Sequence, residues 1–241
     1  MRPLPNTPEV AAVARRTVWF KTPEQALADP VHLVAHVLTY GTHEDVKTLR
    51  RYVTAVRSWL EGKGPATHLP QRPSVRPVPL YVAAVTSRTV ELASELADGI
   101  MPFLWSAERV KQSKAWIERG RSKASGLGKV DVTLGLPTFI GDDVKAMREA
   151  ARANLGLYTT FPFFQRLFRA SGFGPEADQM EKGAGGAALS DRILDAVCLI
   201  GPLARCREQL VAFRSAGVDL PILVAPIGVD GARAVIKAFR R

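Results

Sequence analysis

The sequence predicts an α/β protein with a parallel sheet or barrel, preceded by an all-helical segment. From about residue 78 to residue 241, short apolar runs typical of strands alternate with segments of helical periodicity. Residues 1 to about 62 show helical periodicity alone. The predicted organisation is a helical segment at 1–62, a linker at 63–77 and a β/α region at 78–241.

The linker follows from its proline and glycine content. Residues 62–79 contain five prolines and two glycines, which remove backbone donors and favour extended or turn conformations. Neither a helix nor a central strand is expected to run through this segment.

The composition is that of an ordinary globular protein of 241 residues, 46% hydrophobic and 23% charged. No apolar run approaches the roughly 18 to 20 residues needed to cross a bilayer, and the start of the chain has no continuous apolar signal region. We therefore expect a cytoplasmic protein with no membrane partner. Cys198 and Cys206 lack the spacing of a metal or redox motif, which favours small buried residues in a reducing compartment.

The formal net charge of +10 raises the question of a polyanionic partner. The basic residues are spread along the chain, and aromatic residues do not interleave with them as a base-stacking platform requires. This pattern favours a basic solvated surface, and nucleic acid stays an alternative that is not favoured.

The N-terminal segment predicts two helices. Asp29 before Pro30 is typical of a helix start, and Gly41 ends that helix. Thr42 begins the second helix, with Asp45 in a capping-box position. The second helix carries an apolar stripe of Val46, Leu49, Val53, Val56 and Leu60.

The same two helices raise two binding hypotheses. Joined at Gly41, they could form a helix-turn-helix whose basic residues, Lys47, Arg50 and Arg51, contact DNA or another partner. His32 and His36 have the i, i+4 spacing of a metal pair, but two ligands do not make a site. Their apolar neighbours favour packing, so we predict no metal site.

Four strands are predicted in the β/α region, each followed or preceded by a helical stretch. Their approximate ranges are Val78 to Val85, Ile100 to Trp105, Val130 to Ile140, and Leu220 to Ala225. Such alternation indicates parallel strands covered by helices.

Several segments resemble the luciferase-like monooxygenase family. They are PVPLYVAAVTSRTVELASELADGIMPF, NLGLYTTFPFFQRLFRASGFG, and LSDRILDAVCLIGPLARCREQLVAFRSAGVDLPILVAP. Members of the family are β/α barrels that use reduced FMN or a deazaflavin coenzyme (F420). The resemblance implies a partial TIM-type (β/α) barrel of about four parallel strands. An eight-stranded barrel takes about 250 residues, which is more than the β/α region at 78–241 supplies. The N-terminal segment looks instead like small helical bacterial proteins over about thirty residues.

The resemblance implies a cofactor-binding turn at Val85, Thr86, Ser87 and Arg88. This turn follows a barrel strand and opens a helix, where free amides and the helix dipole favour a phosphate group. The alternative is that Thr86 or Ser87 is simply an N-cap. No general acid or base is predicted, and the catalytic residues stay unknown.

Two further expectations concern packing. An aromatic cluster, which consists of Tyr158, Phe161, Phe163, Phe164 and Phe168, could line an apolar substrate pocket, but core or a subunit interface is the favoured interpretation. A partial barrel would also leave strand edges unpaired, which predicts self-association into a homo-oligomer.

The predicted function is a flavin- or deazaflavin-dependent oxidoreductase acting on a small-molecule substrate by oxygenation or hydride transfer, with the chemistry supplied by the cofactor. The alternative is a non-catalytic binding or oligomerisation protein with a basic, DNA- or partner-binding N-terminus.

Overall fold

A computed structural model of the chain describes residues 6–18, 21–28, 43–63 and 78–240. The predicted helix start at Asp29, the histidine pair and most of the predicted linker lie outside the described residues. Contacts divide the chain into two compact units, Met1–Ile100 with Ile117–Val130 and Met101–Trp116 with Asp131–Arg241. The first unit thus includes both the N-terminal helices and the first part of the β/α region. The predicted boundary at 63–77 stays a prediction.

The first unit begins with α1 (Pro8–Thr17), α2 (Pro23–Leu27) and α3 (His43–Leu60). Thr7 and Thr22 cap the first two helices with their side chains. A small core joins these helices to the β/α region, since Val53 of α3 and Leu92 pack against it; its buried members are Val13, Ala14, Val18, Ala26 and Leu27. The predicted second helix is confirmed as α3.

The same unit contains β1 (Tyr81–Val82), α4 (Ser87–Leu96) and β2 (Gly99–Ile100). The two strands are parallel, with Tyr81 opposite Gly99. Both are much shorter than predicted. The main-chain groups of Leu80 bind Asp98 and Gly99, and Val85 N already belongs to the cap of α4, so few residues remain for a regular ladder.

Asp98 joins three elements of this unit. Its Oδ2 accepts hydrogen bonds from Leu80 N at 2.8 Å and from Arg57 Nη2 at 2.9 Å. Arg57 Nη2 also donates to Leu96 O at 3.3 Å. Because Arg57 lies on α3, the carboxylate ties this helix to the residue that precedes β1. Both side chains are half-buried, where a charge-assisted bond is stronger than in open water.

The helix α5 (Ala107–Arg121) runs from the second unit into the first. The second unit continues with three strands, six α-helices and two short 3₁₀ helices among the described residues. They are β3 (Asp131–Ile140), α6 (Val144–Leu155), a 3₁₀ helix (Gly156–Thr160), α7 (Pro162–Ala170), α8 (Gly174–Glu181), a 3₁₀ helix (Gly185–Ala188), α9 (Asp191–Val197), β4 (Leu199–Gly201), α10 (Leu203–Ala216), β5 (Leu220–Val224) and α11 (Val229–Phe239).

The central strand of the second unit is β3, whose inner eight residues are all buried. Its residues 138–140 pair with β4 and its residues 133–137 pair with β5, in both cases in parallel. β3 and β5 match their predicted ranges closely. β4 was not predicted, because three residues between two helices give too short an apolar run to distinguish a strand from a helix end.

The two cysteines lie close to β4. The sequence pattern predicts that both lie in a pair of helices, but Cys198 lies between α9 and β4, and only Cys206 lies on a helix, α10. Both thiols are buried and unpaired in disulfides, as predicted. Burial raises the pKa of each thiol above its ordinary value, which leaves both in the unreactive protonated form.

The strand β5 exposes apolar side chains on one face. Leu220, Ile222 and Val224 are 55%, 41% and 37% exposed, and they alternate along the strand. Such a row on one sheet face normally packs against another element. Among the described residues, no helix has both the length and the apolar character that a membrane crossing requires.

We predict that Asp98→Ala lowers the free energy of unfolding by about 2 kcal/mol, since Leu80 N and the Arg57 guanidinium both lose an acceptor. Chemical denaturation followed by circular dichroism measures this change. Lys63→Ala is the matched control, because Lys63 pairs with Glu61 in an exposed ion pair expected to contribute under about 0.5 kcal/mol. Equal losses in the two variants would contradict the role given to Asp98.

Candidate functional site

The predicted cofactor turn lies between β1 and α4. Thr86 is the N-cap of α4, and its hydroxyl accepts a hydrogen bond from Thr89 N at 3.3 Å. Thr89 Oγ1 accepts in return from Thr86 N at 3.0 Å and from Val85 N at 3.2 Å. The two threonines form a capping box, so Thr86 does serve as an N-cap.

Two main-chain donors of the turn remain available to a ligand. Ser87 and Arg88 occupy the first two positions of α4, where amides have no acceptor within a helix, and both residues are exposed. Val85 and Thr86 are half-buried, and their amides already bind Thr89. The structure therefore brings the four predicted residues together in one turn, but two of their four amides are already committed to the cap.

The second unit contains a tightly held turn that the sequence did not single out. Leu104 has a φ of 55°, and it is the non-glycine residue with positive φ in the described part of the chain. Trp105 is completely buried, and the Arg109 guanidinium lies 5.8 Å from its ring centroid and 4.6 Å from that of Trp116. A single-sequence pattern carries no signal for a left-handed leucine, since β-turn and helix-cap patterns point to glycine or asparagine there.

The predicted aromatic cluster is partly core and partly surface. Phe164 and Phe168 are buried, in agreement with the favoured interpretation as core. Four rings are half-buried and form a continuous row that we call the aromatic wall; they are Phe103, Tyr158, Phe161 and Phe163. Their successive ring centroids are 5.1, 6.4 and 5.7 Å apart.

Gly135 of β3 allows Phe103 to join this wall. Phe103 forms a parallel bridge with Gly135, and its Cδ2 lies 2.8 Å from the point where a Cβ on Gly135 would stand. A phenylalanine that covers a glycine on the neighbouring strand replaces the missing side chain in the packing. Residue 135 must therefore be glycine for the ring to keep this position.

A concave region of about 620 Å³ is lined by Lys145, Arg148, Glu149, Arg152, Ala187 and Asp191. The Arg148 guanidinium binds Asp191 and Asp195, and that of Arg152 binds Glu149, Asp191 and Leu189 O. Because these donors are already paired, the region is an ion-pair network between helices rather than a ready anion site.

The basic residues of α3 are not free to bind DNA as a group. Arg50 forms a bidentate ion pair with Glu95 of α4, and Arg51 is exposed. The side chain of Lys47 lies outside the described residues. The commitment of Arg50 to a carboxylate removes one of the three cations on which the DNA-binding hypothesis depends.

Comparison with known proteins decides the family. The family model for luciferase-like monooxygenases matches residues 12–220. The chain belongs to the luciferase-like monooxygenase family. The match includes most of α1 and the whole of α2 and α3, so the N-terminal helices are part of the family region and not an unrelated attachment.

Relatives and solved structures agree with this membership. A relative from Mycobacterium tuberculosis, provisionally named a coenzyme F420-dependent oxidoreductase, is 21% identical over 177 residues, which are 67% of this chain and 50% of that protein. A coenzyme F420-dependent tetrahydromethanopterin reductase from Methanopyrus kandleri has a TM-score of 0.59 at 18% identity, over 79% of this chain and 60% of that one. The chain thus spans about half the length of its curated relative.

Two further structures cover nearly all of this chain. An F420-dependent secondary alcohol dehydrogenase, in complex with an F420-acetone adduct, has a TM-score of 0.59 at 16% identity, over 100% of this chain and 78% of that one. A monooxygenase from Streptomyces bottropensis has a TM-score of 0.53 at 17% identity, over 99% and 74%. At these identities the likeness establishes the fold. The predicted α/β class with parallel strands is confirmed.

We predict that Gly135→Ala destabilises this family member by about 1 to 3 kcal/mol, because the new methyl group would overlap the Phe103 ring. Thermal and urea unfolding measure the change. Gly128→Ala is the control, since a Cβ there meets nothing within 4 Å. Adding Phe103→Leu to Gly135→Ala should recover part of the lost stability. If it does not, the overlap with the Phe103 ring is not the cause of the destabilisation.

Proposed function

We propose that the chain is a flavin- or deazaflavin-dependent oxidoreductase, with FMN or coenzyme F420 bound through the turn at Val85, Thr86, Ser87 and Arg88. Family membership over residues 12–220 supports this, as do the names of the F420-dependent relatives. The substrate is proposed to be a small molecule, and the reaction an oxygenation or a hydride transfer.

The turn fits the anionic tail of either cofactor. The amides of Ser87 and Arg88 lie at the start of a ten-residue helix, where the partial positive charge of the helix end adds to their hydrogen bonds. The exposed Ser87 hydroxyl and Arg88 guanidinium supply further donors. This set of unpaired donors at one exposed turn is the observation that carries the proposal.

The cofactor, when bound, supplies the hydride or oxygen chemistry. The part of this chain is to bind and orient it. The capping box holds the turn rigid before binding, because Thr86 and Thr89 each satisfy the other's amide. Such preorganisation lowers the entropy lost when the anion binds.

The sharpest test is Ser87→Pro, read out by titration with FMN and with riboflavin. Proline is tolerated at the first helical position and deletes the N–H proposed to bind phosphate, together with the Ser87 hydroxyl. The extended backbone of Thr86 suits a following proline. We expect the wild type to bind FMN at least about tenfold more tightly than riboflavin, a difference of about 1.4 kcal/mol. In Ser87→Pro this preference should largely disappear while the melting temperature stays unchanged.

Ser87→Ala is the matched control, since it removes the hydroxyl and keeps the amide. It should retain most of the FMN preference. The same titration with F420 distinguishes the two cofactors. The proposal fails if neither cofactor binds below about a millimolar, or if FMN and riboflavin bind the wild type equally.

We further propose a cytoplasmic homo-oligomer. The exposed row of Leu220, Ile222 and Val224 supports self-association, because apolar side chains at this exposure gain from burial. The unpaired strand edges, from which the sequence predicted self-association, give it weaker support, because some of their backbone donors are absent or already bonded. Ile200 N is already bonded to Gln209 Oε1 at 2.9 Å, and Pro221 brings no N–H to β5.

Light scattering at micromolar concentration should therefore give a mass above that of one chain. Ile222→Lys should shift the protein to monomer, because it places a charge in the middle of the apolar row. Val211→Lys is the control, since Val211 is equally apolar, lies on α10 and is 62% exposed. A monodisperse wild-type monomer would contradict this proposal.

A further inference from the structure

The carboxyl end of α4 is held by arginines from two other helices. Arg57 of α3 donates from Nη2 to Leu96 O at 3.3 Å, and Arg121 of α5 donates from Nη2 to Ala97 O at 2.9 Å. The last carbonyls of a helix have no partner within it, and arginine side chains commonly supply one. Both ends of α4 are therefore fixed by side chains, because the capping box at Thr86 holds the other end.

Between its two ends, α4 touches the backbone of α5 at Gly120. A Cβ on Gly120 would stand 2.1 Å from Glu91 O and 2.8 Å from Ser94 Cβ, so only a glycine allows the two helices to approach this closely. A single point of close contact does not fix the angle between two helices. That angle then depends on what holds the ends of α4.

The position of the proposed anion-binding amides is sensitive to this angle. Ser87 lies four residues before Glu91, which is about 6 Å along the helix axis at a rise of about 1.5 Å per residue. A rotation of about 10° about the contact at Gly120 would move the Ser87 amide by about 1 Å. A hydrogen bond of about 2.9 Å that is lengthened by this amount is lost.

Arg121 itself lies in an environment that does not favour a cation. Its Nε and Nη1 atoms are buried and meet no acceptor in the part of the chain that the structure describes. Burial lowers the pKa of Arg121, the Asp98 carboxylate opposes this effect, and the Arg57 guanidinium adds to it. An arginine nevertheless stays charged at neutral pH. Because an apolar side chain would avoid the burial of charge and of unmatched donors, stability alone does not explain an arginine here.

We propose that Arg121 is a positioning residue for the anion site, which fixes the angle of α4 through Ala97 O and so places the amides of Ser87 and Arg88 for a phosphate group. This inference rests on the proposed function, since it assigns a further residue to that same site. The contacts that support it lie within the first unit.

The test uses the full chain as wild type, Arg121→Met and Arg121→Lys. The measurements are the dissociation constants of FMN and of riboflavin, the melting temperature, and hydrogen exchange without cofactor in the peptide spanning residues 85–90. Arg119→Met is the matched control, because it removes an arginine from the same helix. The Arg119 side chain is 52% exposed and binds Glu91, close to the contact point at Gly120.

We expect Arg121→Met to bind FMN at least about fivefold more weakly than the wild type, and riboflavin with unchanged affinity. The phosphate contact depends on the angle of α4, whereas a general loss of structure would weaken both ligands. Hydrogen exchange at residues 85–90 should become faster. The melting temperature should change little, because the loss of one hydrogen bond is offset by the removal of a buried charge.

Arg121→Lys should bind FMN like the wild type, because a single donor is enough for Ala97 O. Arg119→Met should match the wild type in both dissociation constants and in hydrogen exchange, because its exposed ion pair contributes little to the position of α4.

The inference is overturned if Arg121→Met keeps the wild-type ratio of FMN to riboflavin affinity, or if both ligands weaken together with the melting temperature. If the wild type shows no preference for FMN, the proposed function fails, and hydrogen exchange decides the positioning role by itself. Equal exchange at residues 85–90 in wild type and Arg121→Met then overturns it, and faster exchange in Arg121→Met supports it. If Arg121→Met does not fold, Arg121→Gln, whose shorter side chain does not span the same distance, is judged by the same criteria.

Discussion

The carboxylate of Asp98 is the constraint on which the candidate cofactor turn depends. β1 has only two paired residues, and a ladder this short cannot fix the direction of the chain that leaves it. Asp98 supplies what the ladder lacks, since it binds Leu80 N just before the strand and Arg57 on α3. The strand then enters the turn at Val85 from a defined position.

At that turn, the capping of α4 and the proposed binding of an anion would use the same backbone amides. The capping box of Thr86 and Thr89 occupies the amides of Val85 and Thr86 and fixes the start of α4, so these amides are not open to the proposed anion. What remains is a smaller donor set, on Ser87 and Arg88, in a rigid setting. A rigid site with fewer donors can equal a loose one with more, because less entropy is lost on binding.

In the second unit, unlike the first, the strand pairing is extensive. β3 is buried along nearly its whole length and pairs with two strands, and the carboxylate of Asp219 adds a hydrogen bond from Val132 N near its start. Leu104, which follows the bridge between Phe103 and Gly135, keeps its left-handed backbone with its side chain buried. The exposed row on β5 shows where this packing stops.

The sequence by itself determined what depends on neighbours along the chain. It indicated α3, β3 and β5, because periodicity and capping act over three to five residues, and it offered the cap at Thr86 as one of two interpretations. Its motifs indicated the family. The tertiary structure alone decided the short strands β1, β2 and β4, the use of the Val85 and Thr86 amides by Thr89, and the left-handed Leu104. Each of these is set by contacts between residues far apart in sequence, and no local pattern records such contacts.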